Sequence, residues 1–244
     1  MSRQPSESVS DSGWPQAILF DLDGTLIDSA PDIASSVNAL LAQYDLEALM
    51  LDQVRSMIGD GVRKLVERAF AARGITLDVP GLDERHARMM VIYADNLTGA
   101  TTLLDGAVEV LTRYYQAGVT LGVVTNKPEG FSRTILEFFG LSGMIGVVVG
   151  GDTGPTRKPA PDMVLHALAQ LDITPVRALM VGDSPADIDA AFAAGVASVA
   201  VRGGYTNVAV EELGADCVID SLVDLPAAVS NFNALHRQRS HQCS

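Results

Sequence analysis

An apolar segment, residues 17–20, is followed at once by two acidic residues, Asp21 and Asp23. A strand that is apolar on both faces is typical of a buried parallel sheet, and the residues after it lie at the carboxyl edge of that sheet. Open α/β sheets bind their ligands at this edge. Two carboxylates this close repel each other, so they require a cation, a shared proton or both. The alternative is a plain turn, because Asp and Gly are also favoured in turns.

From residue 106 onward, short apolar strands alternate with segments of helical periodicity, which predicts a series of βαβ units. The predicted strands are 119–124, 145–149, 178–181 and 197–201, with a short strand near 216–219. The predicted helices are 107–116, 130–139, 161–171, 186–194 and 222–229. We therefore expect an α/β fold with a doubly wound, Rossmann-like parallel sheet. Its expected strand order is 3-2-1-4-5, numbered along the chain, which places the first strand between the second and the fourth.

Residues 28–104 carry helical patterns and no convincing strand, which predicts an all-helical insertion in the first crossover. Helical spacing of apolar residues is found at about 31–44, 62–70 and 83–97. We therefore expect an α/β core, a helical cap and two disordered polar tails. The expected core is 17–27 with 105–230, the cap is 28–104, and the tails are 1–16 and 231–244.

The chain is acidic, with 17 Lys and Arg against 30 Asp and Glu and a net charge of −13. This charge disfavours nucleic acid and anionic membranes as partners. No segment has the roughly 20 apolar residues that cross a membrane. The two cysteines, Cys217 and Cys243, suggest neither a disulfide framework nor a metal cluster, so we expect a cytoplasmic protein.

Further polar residues follow the other predicted strands of the sheet. Thr125 and Asn126 follow the second strand, Asp183 and Asp187 follow the fourth, and Lys158 precedes the helix between the third and fourth. Each alone has a structural explanation, such as a helix cap or a solvated lysine. Together they fit phosphoryl transfer, which uses a carboxylate nucleophile, a hard divalent cation, cationic and amide donors for phosphate, and a second carboxylate that moves protons.

Four segments resemble, in order and spacing, the four motifs of haloacid-dehalogenase-like hydrolases. They are Asp21-Leu22-Asp23-Gly24-Thr25, Val124-Thr125-Asn126-Lys127, Lys158-Pro159 and Gly182-Asp183-Ser184-Pro185-Ala186-Asp187. The resemblance covers about residues 16–229. Within this superfamily, segments 28–32, 58–62 and 65–69 are similar to bacterial phosphoglycolate phosphatases.

The resemblance implies a role for each residue of these motifs. Asp21 is the expected nucleophile, and Asp23 the expected acid to the leaving oxygen and base to the attacking water. Mg²⁺ is the expected cofactor, held by carboxylates of Asp21 and Asp183 and the main-chain carbonyl of Asp23, with Asp187 close by or bound through water. This leaves the Asp23 side chain free to carry a proton. Phosphate is expected to bind Thr125, Asn126 and Lys158, and Lys158 also offsets the charge of Asp21.

In the family, an inserted segment of this kind is a cap that closes over the site and excludes water. Gly59, Asp60 and Gly61 lie between two predicted helices, where the backbone can approach a small carboxylate-bearing substrate. Arg63 or Lys64 would pair with that carboxylate. The alternative is that both side chains belong to a solvated helix face.

We therefore expect a phosphoric monoester hydrolase that acts on a small phosphorylated substrate, 2-phosphoglycolate, through an aspartyl-phosphate. A phosphatase or mutase for another small sugar or organic phosphate stays open, and so does the choice between monomer and homodimer. A phospho-accepting signalling domain also gathers Asp, Thr and Lys at strand ends. Asp23 and the cap disfavour this alternative, because Asp23 would activate water and hydrolyse the aspartyl-phosphate quickly. Asp23 also speaks against a dehalogenase, since halide displacement needs no leaving-group acid.

Overall fold

The computed structural model describes residues 13–232. Most of each predicted tail, residues 1–12 and 233–244, lies outside the described residues. At the N-terminal boundary, the Gln16 N–H donates to the carbonyl of Arg177 at 2.8 Å, and the Trp14 indole N–H donates to the carbonyl of Val176 at 3.1 Å. Residues 14–16 therefore pack on the core, a few residues ahead of the predicted core boundary.

The described chain alternates strands and helices. In order they are β1 (Ala17–Phe20), β2 (Ile27–Asp28), α1 (Ala30–Ala42), α2 (Leu51–Arg55), α3 (Val62–Ala71), α4 (Val79–Ala94), β3 (Thr102–Leu103), α5 (Ala107–Gln116), β4 (Thr120–Val124), α6 (Glu129–Phe138), β5 (Ile145–Val149), α7 (Asp162–Leu171), β6 (Ala178–Gly182), α8 (Pro185–Ala194), β7 (Ala197–Val201) and β8 (Cys217–Ile219). Residues 225–232 are also helical.

Six strands form one parallel sheet in the order β5-β4-β1-β6-β7-β8, so the predicted α/β class is confirmed. The first five of these strands along the chain stand in the order expected from the sequence, and β8 adds a sixth at the edge. In the register of the sheet, Phe20 lies opposite Val123 of β4 and Val181 of β6. The residues that follow β1, β4 and β6 therefore meet at one edge.

The apolar run of β1 is explained by helices on both faces of the sheet. Ile18 and Phe20 belong to an apolar cluster with residues of α5 and α6, whereas Ala17 and Leu19 belong to a second cluster with residues of α7 and α8. Successive side chains of a strand point to opposite faces, so a strand covered on both sides is apolar at every position. The predicted doubly wound arrangement is the one observed.

Residues 28–104, which carry α1 to α4 followed by β3, are called the insertion below. It was expected to contain no strand, and this was wrong in one detail: β3 pairs antiparallel with β2, with Ile27 opposite Leu103 and Asp28 opposite Thr102. Strands of two residues are too short to show alternation in a sequence. The helix α4 also begins earlier than predicted, because Asp78 caps it by accepting from the Gly81 N–H at 2.9 Å.

One apolar cluster runs from the sheet into the insertion. It joins Phe20 and Leu22 of the core with Ile33, Leu65 and Tyr93 of the insertion. The insertion is therefore packed against the carboxyl edge of the sheet, where the predicted site lies. None of the helices within residues 13–232 has the length and apolar character needed to cross a membrane.

Candidate active site

Asp21 is placed at the middle of the sheet by the register of β1. Its N–H donates to the carbonyl of Val181 at 2.9 Å, which extends the sheet pairing by one residue. Its carboxylate atom Oδ1 lies 3.0 Å from Lys158 Nζ. This oxygen is buried and accepts no well-aligned hydrogen bond from any residue in the described part of the chain. Burial raises the pKa of Asp21 to about 6, against the lowering effect of Lys158 and with smaller raising effects from Asp187 and Asp23.

Lys158 is a buried lysine with partners on three elements of the core. Its Nζ donates to Asp187 Oδ1 at 2.5 Å and to the carbonyl of Val124 at 2.6 Å, and it faces Asp21. Burial alone would lower the pKa of Lys158, but the charges of Asp187 and Asp21 outweigh it and hold this pKa above its usual range. Lys158 is therefore a fixed positive charge beside Asp21 and not the solvated lysine of the alternative explanation.

Asp187 is fully buried in the first turn of α8, and both of its carboxylate oxygens are engaged. Oδ1 accepts from Lys158, and Oδ2 accepts from the N–H of Asp183 at 3.2 Å, the N–H of Ser184 at 3.0 Å and Ser184 Oγ at 2.7 Å. Ser184 and Asp187 thereby form a capping box at the start of the helix. Asp187 fixes both Lys158 and the turn that carries Asp183.

Asp183 follows β6 and is held by two donors. Thr25 Oγ1 donates to Oδ1 at 2.9 Å, and the Tyr205 N–H donates to Oδ2 at 2.7 Å. Gly24 is required here twice over: its φ is +87°, and a Cβ on it would lie 2.6 Å from Asp183 Oδ2. Burial raises the pKa of Asp183 well above its usual range, and the nearby charges of Asp187 and Asp21 raise it further.

Asp21, Asp183 and Asp187 form a buried acidic cluster, with carboxylate oxygens within 4.8 Å of one another. Lys158 is one positive charge against these three carboxylates, and Asp21 Oδ1 has no aligned donor. Buried charges that lack a partner are costly, and hard divalent cations prefer oxygen ligands. The cluster therefore fits a divalent metal ion.

Asp23 lies outside the acidic cluster, and its side chain has partners that the sequence did not suggest. Lys127 Nζ donates to its two carboxylate oxygens, Oδ1 at 2.9 Å and Oδ2 at 3.1 Å, and Ser29 Oγ donates to Oδ1 at 2.5 Å. The side chain was expected to be free, whereas the structure pairs it with a buried lysine. This difference separates the environments of the two acids that follow β1.

Thr125 and Asn126 line a cavity between the sheet edge and the insertion. The Thr125 N–H donates to the carbonyl of Val149 at 3.0 Å, which holds the turn after β4 in place. The Asn126 side-chain amide donates to the carbonyls of Gly59 at 2.9 Å and Lys158 at 3.0 Å. Asn126 thus connects the turn after β4 to both the insertion and the segment that carries Lys158.

The cavity has a volume of about 40 Å³. Its polar floor is formed by Asp21, Asp23, Thr125, Asn126 and Lys127, and its roof from the insertion by Ile33, Ile58, Gly59, Gly61, Val62, Leu65 and Tyr93. The roof is mainly apolar and leaves room for a few water molecules, since one water needs roughly 10–15 Å³. Asp21 and Asp23 also border a second pocket of about 210 Å³, which lies between the insertion, the turn after β6 and the loop after β7, so both acids face two adjoining pockets.

The structure brings Gly59 and Gly61 to this cavity and Asp60 to the second pocket, but it places Arg63 and Lys64 outside both. Asp60 pairs with Arg68 and shares the second pocket with Asp21, Asp23 and Asp183, so it borders the site. Lys64 pairs with Glu67 at 2.9 Å. Arg63 pairs with Asp83 at 2.8 Å with 41% of its side chain exposed, and it does not line the cavity. In this arrangement Arg63 belongs to a solvated helix face.

Several residues contact the site although the sequence analysis gave them no role, among them Thr25, Ser29, Lys127, Tyr93 and Tyr205. Thr25 and Lys127 lie within the recognised motifs, so their positions at strand ends were an available signal. Tyr93 and Tyr205 lie outside the four motifs, so no sequence signal indicated that they reach the site. Only the packing of the insertion and of the loop after β7 brings them to the acids.

The model of the family described as haloacid dehalogenase-like hydrolase matches residues 18–201 of the chain. The phosphoglycolate phosphatase of Caulobacter vibrioides is 42% identical over 211 residues, which is 86% of this chain and 89% of that protein. The phosphoglycolate phosphatase of Rhodospirillum rubrum is 42% identical over 215 residues, with the same coverage. The crystal structure of a predicted phosphoglycolate phosphatase from Haemophilus somnus is similar with a TM-score of 0.83 and 31% identity, over 87% of this chain and 97% of that one.

Proposed function

The chain belongs to the haloacid dehalogenase-like hydrolases, and from this premise we propose that it hydrolyses 2-phosphoglycolate to glycolate and phosphate through an aspartyl-phosphate. The observation that carries the proposal is Asp21, a buried carboxylate whose Oδ1 faces the fixed charge of Lys158 and accepts no aligned hydrogen bond from the described residues. The substrate is proposed from the similarity to the two phosphoglycolate phosphatases. The two small adjoining pockets that meet at Asp21 and Asp23 are consistent with a small phosphate ester.

In the first step, Asp21 attacks the phosphorus atom, and the bond from phosphorus to the glycolate oxygen breaks. Asp23 donates a proton to the departing oxygen, which avoids release of an alkoxide. Lys158 and the Thr125 hydroxyl bind the phosphoryl oxygens, together with the main-chain N–H of Asn126, whose side-chain amide is already used by Gly59 and Lys158. The products of this step are glycolate and phosphorylated Asp21.

In the second step, a water molecule attacks the phosphorus atom of phosphorylated Asp21. Asp23 accepts a proton from this water, so it returns to the state from which the cycle began. The bond between phosphorus and Asp21 breaks, and phosphate leaves. Asp23 therefore exchanges a proton with both the leaving group and the water. For this, its side chain must face the cavity and not the acidic cluster.

We assign the metal to the acidic cluster and propose that it is Mg²⁺. Asp21, Asp183 and the main-chain carbonyl of Asp23 would hold it, with Asp187 close by, since both Asp187 oxygens already accept hydrogen bonds. When bound, Mg²⁺ neutralises the phosphoryl oxygens and the clustered carboxylates.

The insertion, residues 28–104, would act as a cap on a core formed by 17–27 and 105–230. Its apolar roof excludes bulk water, and the Gly59 and Gly61 backbone borders the substrate. An ion pair between Arg63 and the substrate carboxylate stays a prediction that would require the Asp83 pair to break. A cytoplasmic location and the absence of nucleic acid partners also stay predictions from composition.

The proposal is tested by phosphate release from a panel of small phosphate esters, each with Mg²⁺ and with excess chelator. We expect 2-phosphoglycolate to give the highest kcat/KM and the chelator to abolish turnover. A higher kcat/KM for another ester would reject the proposed substrate, and interconversion of phosphate esters without phosphate release would indicate a mutase. Full activity in chelator would reject the metal site.

A further inference from the structure

Lys127 has polar partners in both parts of the molecule. Its Nζ pairs with the two carboxylate oxygens of Asp23 and also donates to the Tyr93 hydroxyl. The lysine side chain is only 2% exposed. Three groups, a carboxylate, an ammonium and a phenol, are thus joined in a buried row that begins at Asp23 and ends in the insertion.

Tyr93 is the insertion's contribution to this row. It lies near the end of α4, is 1% exposed, and packs its ring edge-on against Phe131 of α6 at a centroid distance of 5.4 Å. Burial raises the pKa of Tyr93 to about 12, so the phenol stays neutral beside the Lys127 ammonium. Tyr93 therefore reaches across the cavity into the core and contacts it through both its ring and its hydroxyl.

The row determines where the Asp23 carboxylate points. Asp23 is only two residues from Asp21, yet its carboxylate is not part of the acidic cluster. Lys127 holds both of its oxygens on the cavity side, and Ser29 adds a donor to one of them. A proton donor must lie within hydrogen-bond distance of the atom it serves, and a misplacement of about 1 Å lowers the rate strongly.

We propose that Lys127 and Tyr93 are positioning residues that hold the Asp23 carboxyl group towards the leaving oxygen, so that proton transfer is efficient only while the insertion is seated on the core. The inference rests on the proposed function, because it assigns a geometry to the acid of that reaction. It makes the insertion part of the proton-transfer machinery, beyond its use as a lid against water.

The test compares Tyr93→Phe with the unmodified protein on two small esters of nearly equal size, ethyl phosphate and 2,2,2-trifluoroethyl phosphate, at high enzyme concentration. In a mechanism with a covalent intermediate, kcat/KM reports the transfer to Asp21 and the departure of the alcohol. Ethoxide needs a proton to leave, whereas the more acidic trifluoroethanol needs it far less. Neither ester has a carboxylate, so substrate recognition through that group does not enter.

We expect Tyr93→Phe to lower kcat/KM for ethyl phosphate by about tenfold or more and for trifluoroethyl phosphate by less than about twofold. Lys127→Met is expected to show the same contrast more strongly. The matched control is Tyr44→Phe, the same change in the same insertion, where the hydroxyl faces exposed Glu84 at 3.5 Å. It is expected to keep the values of the unmodified protein for both esters.

Two results would overturn the proposal. If Tyr93→Phe lowers kcat/KM equally for both esters, the hydroxyl only supports the fold or binds substrate. If kcat/KM changes for neither ester, the hydroxyl does not position Asp23. Tyr93→Phe keeps the ring and its packing on Phe131, so it decides the question even if Lys127→Met does not fold. The proposed substrate fails separately, if the unmodified protein hydrolyses the two esters but not 2-phosphoglycolate.

Discussion

At the scale of single residues, neighbouring hydrogen-bond partners give identical carboxyl groups different tasks. Asp21 Oδ1 faces Lys158 and accepts no aligned hydrogen bond from the described residues, whereas Asp23 is held by Lys127 and Ser29. Asp183 has donors on both oxygens, from Thr25 and from the Tyr205 main chain. The nucleophile, the proton carrier and the metal ligand of the proposed mechanism therefore differ by their partners and not by their residue type.

Thr25→Val tests whether the hydrogen bond from Thr25 to Asp183 contributes to metal affinity, because it removes the hydroxyl and keeps the shape of the side chain. Thr25 is fully buried and donates to Asp183 Oδ1 at 2.9 Å. Partners that orient a metal ligand typically contribute about 10–100-fold to metal affinity. We expect a Mg²⁺ activation curve displaced to roughly tenfold higher concentration, with kcat at saturating metal much less affected. Thr134→Val, at an exposed site on α6, is the control, and an unchanged activation curve for Thr25→Val would refute the role.

At the scale of elements, the loop after β7 connects the acidic cluster to the segment that leads into α1 of the insertion. The Tyr205 hydroxyl accepts from the N–H groups of Ser29 at 2.8 Å and Ala30 at 3.0 Å, and it donates to Asp28 Oδ1 at 2.7 Å. Arg55 of α2 pairs with Asp28 Oδ2 at 3.0 Å and completes the contact. The start of α1 is therefore fixed by a core side chain, since its own Ser29 makes no capping bond.

Tyr205→Phe should loosen this junction, because the buried Ser29 N–H loses its acceptor and the Ala30 N–H keeps only Asp28 Oδ1, at 3.2 Å. An unsatisfied buried group costs about 1–3 kcal/mol, and each kcal/mol lowers the Tm of a chain of this size by roughly 2–4 °C. We expect a lower Tm together with faster amide hydrogen exchange at Ser29 and Ala30. Tyr115→Phe, at an exposed position on α5, is the control. A Tm and exchange rates equal to those of the unmodified protein would contradict the assigned role.

The sequence predicted most elements of the core within one or two residues, because apolar strands and amphipathic helices carry strong periodic signals. It missed the two-residue strands β2 and β3 and the five-residue helix α2, which are too short for any periodicity. It also missed the early start of α4, where the Asp78 cap precedes the apolar stripe. Elements set by local capping or pairing are less visible in a sequence than elements set by burial.

At the scale of the whole molecule, the site is assembled from two parts that share one apolar cluster. The core contributes the acids and Lys158, and the insertion contributes the roof and Tyr93. Motif order predicted that the strand ends meet, because parallel strands bring their carboxyl ends to one edge. The partners of Lys127 could not be predicted, since they depend on how the insertion packs over that edge.

The central claim is that phosphate passes through Asp21, and it is tested most directly by trapping the intermediate. The protein is quenched in acid during turnover of 2-phosphoglycolate and then reduced with borohydride, which converts an aspartyl-phosphate to homoserine that mass spectrometry can locate. We expect homoserine at position 21, and more of it in Asp23→Asn, because the attack by water is then slower. Homoserine at another position, or none at any time while phosphate is released, would contradict the account.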